Sequence, residues 1–385
     1  MRNFISAKAK AIPPSGIRKY FDLAVSMEGV ISLGVGEPDF PTPWNICEAS
    51  IYSIEQGGTS YTSNRGLLPL REAISIWLNQ HYNLSYTPDE EMIVTTGVSE
   101  GLDIAVRAVT DPGDEIIIAE PSYVSYSPCV TLAGGVPVPV QCREKDQFRL
   151  NPDSLMESVT SRSKAVMINF PNNPTGAVMR KEHLSGIADI IVDHDLLLIS
   201  DEVYSELTYD GTHVPPASLD GMRERTITLN GFSKAYAMTG WRIGYFCAPA
   251  EICDAALKIH QYVMLCAPVM GQVAALEGLR RGEAEKDRMV QEYRVRRNIF
   301  VKGLNRIGLT CHLPEGAFYA FPSVEKSGLS DNEFAEKLLT EEHVAVVPGS
   351  VLGRGGKNHC RCAYAVSREN LGEALTRMER FMTRP

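Results

Sequence analysis

Six short segments between residues 92 and 247 consist mostly of apolar residues, and they constrain the fold more than any other sequence feature. A strand with one face in water alternates apolar and polar residues, whereas a strand of a parallel sheet is covered on both faces and needs no alternation. Helical stretches such as 99–110 and 181–194 separate the segments. The pattern predicts βαβ units that build a large α/β domain around a doubly wound, mostly parallel sheet. The predicted strands are 92–96, 115–119, 165–170, 196–200, 226–230 and 243–247.

The sequence on either side of this region predicts a second, smaller α+β domain. One long, charge-rich helix at 283–308 follows the sheet region and is long enough to span two lobes. Short strands at 317–321, 344–348 and 361–366 and helices at 331–342 and 369–382 come after it. A short helix is expected near the N-terminus, with its apolar positions at Ile17, Phe21, Leu23 and Val25. The expected division is an N-terminal arm at 1–12, a small domain of 13–43 and 286–385, and a large domain of 44–285.

Charge and cysteine content narrow the classes of function. The net charge of −9 argues against non-specific nucleic-acid binding, which needs a basic surface. No apolar run approaches the ~18 residues that span a bilayer, and the N-terminus lacks the apolar core of a signal peptide. The nine cysteines are scattered without the paired spacing of a metal site. We therefore expect a soluble cytoplasmic protein with reduced thiols and no metal, membrane or nucleic-acid partner.

Polar residues follow the predicted strands where each strand ends, which is where open α/β sheets bind ligands. Gly97-Val98-Ser99 opens a helix after the strand at 92–96, and it is either an anion cradle or a plain turn capped by Ser99. Tyr123 follows the strand at 115–119, where it either lies against an aromatic ligand or is simply half-buried. Asn173 follows the strand at 165–170, although an Asn-Pro pair also commonly begins a turn.

The last two of these strand ends carry the clearest chemistry. Asp201 ends a four-residue apolar strand, and a buried carboxylate needs a cationic or hydrogen-bonding partner. Ser233, Lys234 and Arg242 follow the strand at 226–230. Most loop lysines are simply solvated, but a lysine can form a Schiff base with a carbonyl, and serine and arginine suit a phosphate. The combined residues are those needed to hold a phosphorylated, aromatic, nitrogen-containing aldehyde.

These residues resemble the signature of class I aminotransferases of pyridoxal-phosphate fold type I. The segment Ser233-Lys-Ala-Tyr-Ala-Met-Thr-Gly-Trp-Arg-Ile-Gly244 matches the lysine motif of that family at every restricted position. Asn173-Pro-Thr-Gly176, Asp201-x-x-Tyr204 and Arg361 occur in the family's order, and the resemblance extends from about residue 12 to the C-terminus. Residues 12–43 resemble the branch that contains bacterial and archaeal aspartate, aromatic and acyl-diaminopimelate aminotransferases.

The resemblance implies pyridoxal 5′-phosphate as the cofactor and gives roles to the residues around its ring. Lys234 would bond to the cofactor aldehyde and later move the substrate proton. Asp201 would pair with the protonated ring nitrogen, which keeps the ring an electron sink. Asn173 and Tyr204 would donate hydrogen bonds to the phenolate oxygen of the ring, and Tyr123 would stack on its face.

The resemblance also implies how the phosphate and the substrate are held. The backbone N–H groups of Val98 and Ser99 and the side chains of Ser233 and Arg242 would bind the phosphate. Tyr61 would reach the phosphate in the neighbouring subunit, which implies a homodimer with shared active sites. Arg361 would bind the substrate α-carboxylate as a bidentate fork, near Asn173 and the backbone of Gly36.

The implied activity is transfer of an amino group from an L-amino acid to a 2-oxo acid, expected to be 2-oxoglutarate, by a ping-pong mechanism in amino-acid biosynthesis. Carbon–sulfur β-lyases share the fold and the lysine and remain an alternative, whereas a regulatory module would need a DNA-binding domain for which 385 residues leave no room.

Two residues depart from the family pattern. Ser99 stands where some aspartate-using relatives have lysine, so the donor stays open among aspartate, aromatic and related amino acids. Glu100 stands where many relatives have glutamine, and the sequence offers no interpretation of it.

Overall fold

A seven-stranded sheet is the largest element of the computed structural model, which describes residues 4–14, 16–17 and 27–384. The order of its strands is β2-β8-β7-β6-β5-β3-β4. All strands in the described part of the chain are β1 (Ile31–Ser32), β2 (Met92–Thr95), β3 (Glu115–Glu120), β4 (Val136–Gln141), β5 (Ser163–Asn169), β6 (Leu197–Asp201), β7 (Thr226–Gly231), β8 (Gly244–Cys247), β9 (Tyr319–Ala320), β10 (Val344–Ala345), β11 (Val347–Pro348) and β12 (Cys360–Ala363).

The sheet is mostly parallel, as its apolar strands predict. Strands β4, β3, β5, β6 and β7 pair in parallel, whereas β8 runs antiparallel to both of its neighbours, β7 and β2. Every residue of β2, β7 and β8 is buried, because helices cover both faces of the sheet. Strand β4 was not predicted: its Val-Pro-Val-Pro-Val sequence lies at the edge of the sheet, where a proline's missing N–H costs no ladder hydrogen bond.

The helices predicted at 99–110, 181–194, 283–308, 331–342 and 369–382 lie within about two residues of their predicted bounds, whereas those at 7–11, 126–133 and 152–156 were not predicted. In chain order the helices are α1 (Ala7–Ala11), α2 (Trp44–Glu55), α3 (Leu68–Tyr82), α4 (Gly97–Val109), α5 (Tyr126–Ala133), α6 (Pro152–Met156), α7 (Lys181–Asp193), α8 (Ala250–Val263), α9 (Val269–Arg281), α10 (Glu283–Arg306), α11 (Asp331–Glu342) and α12 (Arg368–Met382). Of the helix expected over Ile17, Phe21, Leu23 and Val25, the last three positions lie outside the described residues. No helix in the described ranges combines the length and the apolarity needed to cross a bilayer.

Helices on opposite faces of the sheet make it doubly wound. On one face, Leu102 of α4 and Ala256 of α8 pack against Ile116 and Ile199 of the sheet. On the other, α7 packs through Leu184, Ile187 and Ile191 against the alternate residues of β5 and β6. The carboxyl ends of the parallel strands therefore open at a single edge of the sheet, and that edge carries the site described below.

Two small sheets and three helices form the other main core. Parallel strands β1 and β10 make one sheet, and β11, β12 and β9 make an antiparallel sheet that carries Arg361 on β12. The prediction of one strand over 344–348 was wrong, because Val344–Ala345 pairs with β1 whereas Val347–Pro348 pairs with β12. The long helix α10 contributes Tyr293, Phe300 and Leu304 to this core.

Candidate active site

A cavity of about 660 Å³ lies beyond the carboxyl ends of strands β3, β5, β6 and β7. Its wall includes all the site residues predicted from the sequence except Tyr61: Gly36, Val98, Ser99, Tyr123, Asn173, Asp201, Tyr204, Ser233, Lys234, Arg242 and Arg361. These residues come from both the large sheet and the smaller core, so the cavity is built where the two meet. A volume of this size is typical of a small-molecule site.

One end of the cavity is the start of helix α4. Gly97 has a φ of +73°, a conformation that glycine adopts without strain, and it turns the chain from β2 into the helix. The Arg242 guanidinium lies so close that a Cβ on Gly97 would stand 2.6 Å from its Nη2 atom. The N–H groups of the first turn have no acceptor within the helix. Together with Arg242 and Ser233, they make this end of the cavity suitable for an anion.

Asp201 lines the cavity from the last position of β6, and only 6% of it is exposed. Its Oδ2 accepts a hydrogen bond of 2.7 Å from the hydroxyl of Tyr126, and its Oδ1 accepts one of 3.1 Å from the Val203 N–H. Burial raises the pKa of the Asp201 carboxyl to about 6, while these two donors act in the opposite direction. The carboxylate is thus buried but still charged at neutral pH.

Lys234 faces the same cavity from the segment after β7. Its Nζ donates a hydrogen bond of 2.6 Å to the Gly36 carbonyl. Burial lowers the pKa of the Lys234 amine to about 8; the nearby Glu37 carboxylate opposes this effect, and the Arg361 and Arg242 charges add to it. The amine therefore has a substantial neutral, nucleophilic fraction near neutral pH.

Arg361 forms the side of the cavity opposite the sheet, and only 3% of it is exposed. Its Nη2 donates to the Gly34 carbonyl at 2.7 Å and its Nη1 to Oδ1 of Asn173 at 3.0 Å, while the guanidinium carbon lies 4.8 Å from the centre of the Tyr319 ring. Its buried Nε has no hydrogen-bond partner among the described residues. A buried donor left unpaired is costly, so this atom indicates a place for an acceptor from a ligand.

Phenol groups line the remaining wall. The hydroxyls of Tyr204 and Tyr319 lie 2.7 Å apart, and burial raises the pKa of Tyr204 well above its usual value, so it is a neutral donor. Tyr123 meets Tyr126 edge-on with 5.9 Å between ring centres, and it presents its ring to the cavity.

Comparison with known proteins agrees with this geometry. Residues 28–378 match the family model described as aminotransferase class I and II. The chain belongs to this family. It is 55% identical over 382 residues to a putative aminotransferase YugH of Bacillus subtilis, covering 99% of each chain, and 45% identical to an aspartate aminotransferase of Pyrococcus abyssi, covering 98% of each. Among solved structures, aspartate aminotransferase from Thermus thermophilus with maleate aligns with a TM-score of 0.94 at 39% identity, over 99% of this chain and 100% of that one.

Membership confirms the main predictions made from the sequence. The chain is an aminotransferase of the pyridoxal-phosphate fold type I, and amino-group transfer is its reaction. The β-lyase alternative is not favoured, because the relatives named above are aminotransferases. The individual residue roles implied by the resemblance remain predictions, and the structure adds their positions.

Tyr61 is the predicted site residue that the aminotransferase chain does not bring to its own cavity. Its side chain is 84% exposed and is absent from the cavity wall. The prediction gave it to the active site of a neighbouring subunit, and its position outside this chain's cavity is compatible with that role. It stays a prediction, because a single chain is described.

Three ionisable residues of the cavity wall were missed from the sequence: Glu37, Tyr126 and Tyr319. Tyr126 comes three residues after Tyr123, and as the first residue of helix α5 it donates a hydrogen bond to Asp201. Glu37 lies in the Pro-rich loop 36–43 after β1, which the sequence predicts as a domain junction or an active-site rim without assigning Glu37 itself to the site. Tyr319 looked like a core aromatic of a short strand, and its contact with Tyr204 joins positions 115 residues apart.

Proposed function

We propose that this aminotransferase uses pyridoxal 5′-phosphate bound at Lys234 to move an amino group from an L-amino acid to a 2-oxo acid, with 2-oxoglutarate as the acceptor. The observation that carries the proposal is the meeting of Lys234 and Asp201 in one cavity. The Lys234 amine has a pKa of about 8, and the Asp201 carboxyl has a pKa of about 6. The pair can therefore offer a nucleophile to an aldehyde and an anion to a protonated ring nitrogen at the same pH.

The residues present fit such a cofactor at each end. The start of α4 with Ser233 and Arg242 suits the phosphate, and the glycine at position 97 leaves room for Arg242 there. Asp201 lies on the same wall as Tyr123, which suits a ring nitrogen beside a stacking face. Tyr204 is a neutral donor, and Asn173 has an amide N–H₂ to offer, so both suit the ring's phenolate oxygen.

When bound, the cofactor would supply a ring that withdraws electrons from the substrate Cα. The protein's own contribution is to hold and move protons. Lys234 Nζ, in its neutral form, would accept the proton from the substrate Cα. Asp201, held by Tyr126, would offer its negative charge to the ring nitrogen, so its loss should reduce rate more than binding.

Arg361 would orient the amino acid. Its Nη1 and Nη2 are held by Asn173 and Gly34, so the guanidinium plane is fixed before substrate arrives. Its Nε has no partner among the described residues, and it suits a carboxylate oxygen. Preorganisation of this kind lowers the entropic cost of substrate binding.

The cavity supports an aromatic or broad range of donors rather than strict use of aspartate. Its cationic side chains among the described residues are Lys234, Arg242 and Arg361, and each has a role above. Ser99 brings no charge for a second substrate carboxylate, and Glu37 adds a negative charge. Relatives of this chain include proteins named for aromatic amino acids and for aspartate, so both classes belong in the test.

A homodimer is part of the same proposal. Large apolar side chains are exposed on helix α2, which precedes Tyr61 in the chain, and at the end of α8: Trp44, Ile51, Tyr52, Ile54, Tyr262 and Val263. Exposed apolar surface of this kind is typical of a protein interface, and a second copy would bury it while bringing its own Tyr61 to the phosphate end of the cavity.

The proposed cytoplasmic location rests on nine free cysteines, which suit a reducing compartment. The division into an arm of 1–12, a small domain of 13–43 and 286–385, and a large domain of 44–285 also remains a proposal.

The test is a half-reaction followed by absorbance. Protein loaded with pyridoxal 5′-phosphate is mixed with aspartate, phenylalanine, tyrosine or an acylated diaminopimelate, without a 2-oxo acid. Conversion of the aldehyde form to the amine form, reversed by 2-oxoglutarate, is expected for at least the aromatic donors. A folded Lys234→Ala variant should show neither the aldehyde absorbance nor conversion. Loaded protein that releases a 2-oxo acid continuously from a thioether amino acid, without any acceptor, would contradict the proposal.

A further inference from the structure

A buried pair, Glu100 and His260, lies directly behind the start of helix α4. Oε1 of Glu100 lies 2.5 Å from Nδ1 of His260, a fully buried residue near the end of α8. The other oxygen of Glu100, Oε2, accepts a hydrogen bond of 2.5 Å from the backbone N–H of Thr96. Both oxygens of a nearly buried carboxylate are thus used one residue after Ser99, in the first turn of the helix.

A carboxylate at this place would normally oppose the binding of a second anion. Negative side chains in the first turn of a helix are attracted to its free N–H groups, and they compete there with a phosphate. Here the Glu100 carboxylate is turned away toward His260 and Thr96, on the side of α4 that faces α8. The N–H groups of Val98 and Ser99, which line the cavity, are left for a ligand.

The bond to Thr96 fixes the turn that aims those N–H groups. Thr96 has φ −75° and ψ 67°, and Gly97 follows with φ +73°. The hydroxyl of Thr95 holds the far side of this turn by donating to the Gly97 carbonyl at 2.9 Å. Glu100 holds the near side, and His260 fixes the orientation of Glu100, because an ionised carboxylate accepts the hydrogen that Nδ1 donates.

We propose that Glu100 and His260 are positioning residues for the phosphate of the cofactor. They act through the Thr96–Gly97 turn and do not touch the ligand. The inference rests on the proposed function, since it assumes that a phosphate binds at the start of α4. A glutamine at this position could complete the same arrangement, with its oxygen accepting from Thr96 and its N–H donating to Nδ1 of His260 in the tautomer that carries the hydrogen on Nε2.

The experiment measures the affinity of the intact protein, stripped of cofactor, for pyridoxamine 5′-phosphate and for pyridoxamine. Neither ligand has an aldehyde, so binding involves no covalent bond to Lys234, and the ratio of the two affinities isolates the phosphate. Glu100→Ala should weaken binding of the phosphorylated ligand about tenfold, the value of about one well-oriented hydrogen bond, and change pyridoxamine binding less than twofold. Glu100→Asp keeps the charge but shortens the side chain by one methylene, and it should show the same selective loss.

Glu100→Gln should keep the wild-type ratio, because its oxygen can accept from Thr96 and its N–H can donate to Nδ1 of His260 in the other tautomer. The hydrogen then on the buried Nε2 has no partner among the described residues, so the cost should appear in the melting temperature instead. The control is Glu115→Ala, which removes another buried carboxylate, one bonded to Thr160 and Arg162 at the opposite end of the sheet. It should lower the melting temperature and leave the affinity ratio unchanged.

The proposal is overturned if Glu100→Ala and Glu100→Asp weaken both ligands equally, or if Glu100→Gln loses as much as Glu100→Ala. The first result would mean a general loss of structure, and the second would mean that charge rather than position matters. Should Glu100→Ala fail to fold by circular dichroism, the comparison of Glu100→Asp with Glu100→Gln decides the question alone. Wild-type protein that binds neither ligand would refute the proposed cofactor instead, so the two failures are distinguishable.

Discussion

The depressed pKa of Lys234 gives a quantitative prediction for capture of an aldehyde by the cofactor-free protein. Burial lowers the pKa of this amine from 10.5 to about 8. At pH 7 an amine with a pKa of 8 is about one-tenth neutral, whereas one with a pKa of 10.5 is about 0.03% neutral. Since only the neutral amine attacks a carbonyl, Lys234 should have a reactive fraction about 300-fold larger than that of a solvated lysine.

Stopped-flow absorbance with pyridoxal 5′-phosphate from pH 6 to pH 10 provides the assay. The rate of capture is divided by that of a free lysine analogue, which removes the ligand's own ionisations. Because the analogue continues to gain neutral amine up to its own pKa of about 10.5, this ratio should be about 300 well below pH 8 and should fall with a midpoint near pH 8. The perturbation is Glu37→Gln. Because the Glu37 carboxylate favours the charged amine, its removal should move the midpoint to lower pH and increase the rate at pH 7.

Two outcomes would refute this reasoning about Lys234. A midpoint at or above pH 10 would mean that water reaches the amine and that burial does not control it. A midpoint that rises in Glu37→Gln would mean that the carboxylate does not act on the amine through its charge. The Lys234→Ala variant, which should show no capture at this site, separates the signal from that of surface lysines.

Three further predictions concern the rest of the cavity. Arg361→Ala should raise the KM for the amino acid about a hundredfold in steady-state assays, because a charged fork is lost, while cofactor absorbance is retained. Tyr126→Phe removes a donor that favours the charged carboxylate, so the pKa of Asp201 should rise from about 6 by about one unit. Asp201 then stays protonated to higher pH, and the acidic limb of pyridoxamine 5′-phosphate affinity against pH should move upward by the same amount; an unmoved limb would contradict this. Gly97→Ala should lower both the melting temperature and the phosphate-dependent affinity, because its Cβ would stand 2.6 Å from Arg242, whereas Gly113→Ala, also at positive φ but with nothing within 4 Å, should lower the melting temperature alone.

The parts of the fold that could be predicted are those whose signal is local. Strands buried on both faces show as short runs rich in apolar or β-branched residues, so β2, β3 and β5 to β8 were found within about two residues. Strand β4 was missed because an edge strand is half exposed and tolerates prolines, which leaves no apolar run. The stretch 344–348 reads as one strand, and only its two different partners, β1 and β12, divide it.

The site residues also divide into those that a local sequence signal predicts and those that it does not. Residues that directly follow a strand, such as Asp201 and Lys234, could be assigned to one edge of the sheet, since parallel strands end together. Tyr319 and Glu37 reach the cavity from the smaller core, and no local pattern records how that core docks on the sheet. The His260 contact of Glu100 joins positions 160 residues apart, so the sequence could mark Glu100 as unusual but could not supply its partner.

The groups that hold Asp201 are neutral hydrogen-bond donors, and the reason lies in the negative charge that its carboxylate must offer to a ligand. Burial acts on both ionisable groups of the cavity in favour of the uncharged form, so it raises the pKa of Asp201 and lowers that of Lys234. Without these donors the pKa of Asp201 would be higher still, and less of the carboxyl would carry the charge that attracts a cationic ring nitrogen. An arginine beside Asp201 would keep the carboxyl ionised. Its positive charge would, however, offset the negative charge of the carboxylate and repel the cationic ring nitrogen. Tyr126 and the Val203 N–H are neutral donors, so they stabilise the anion and leave its charge available to the ligand.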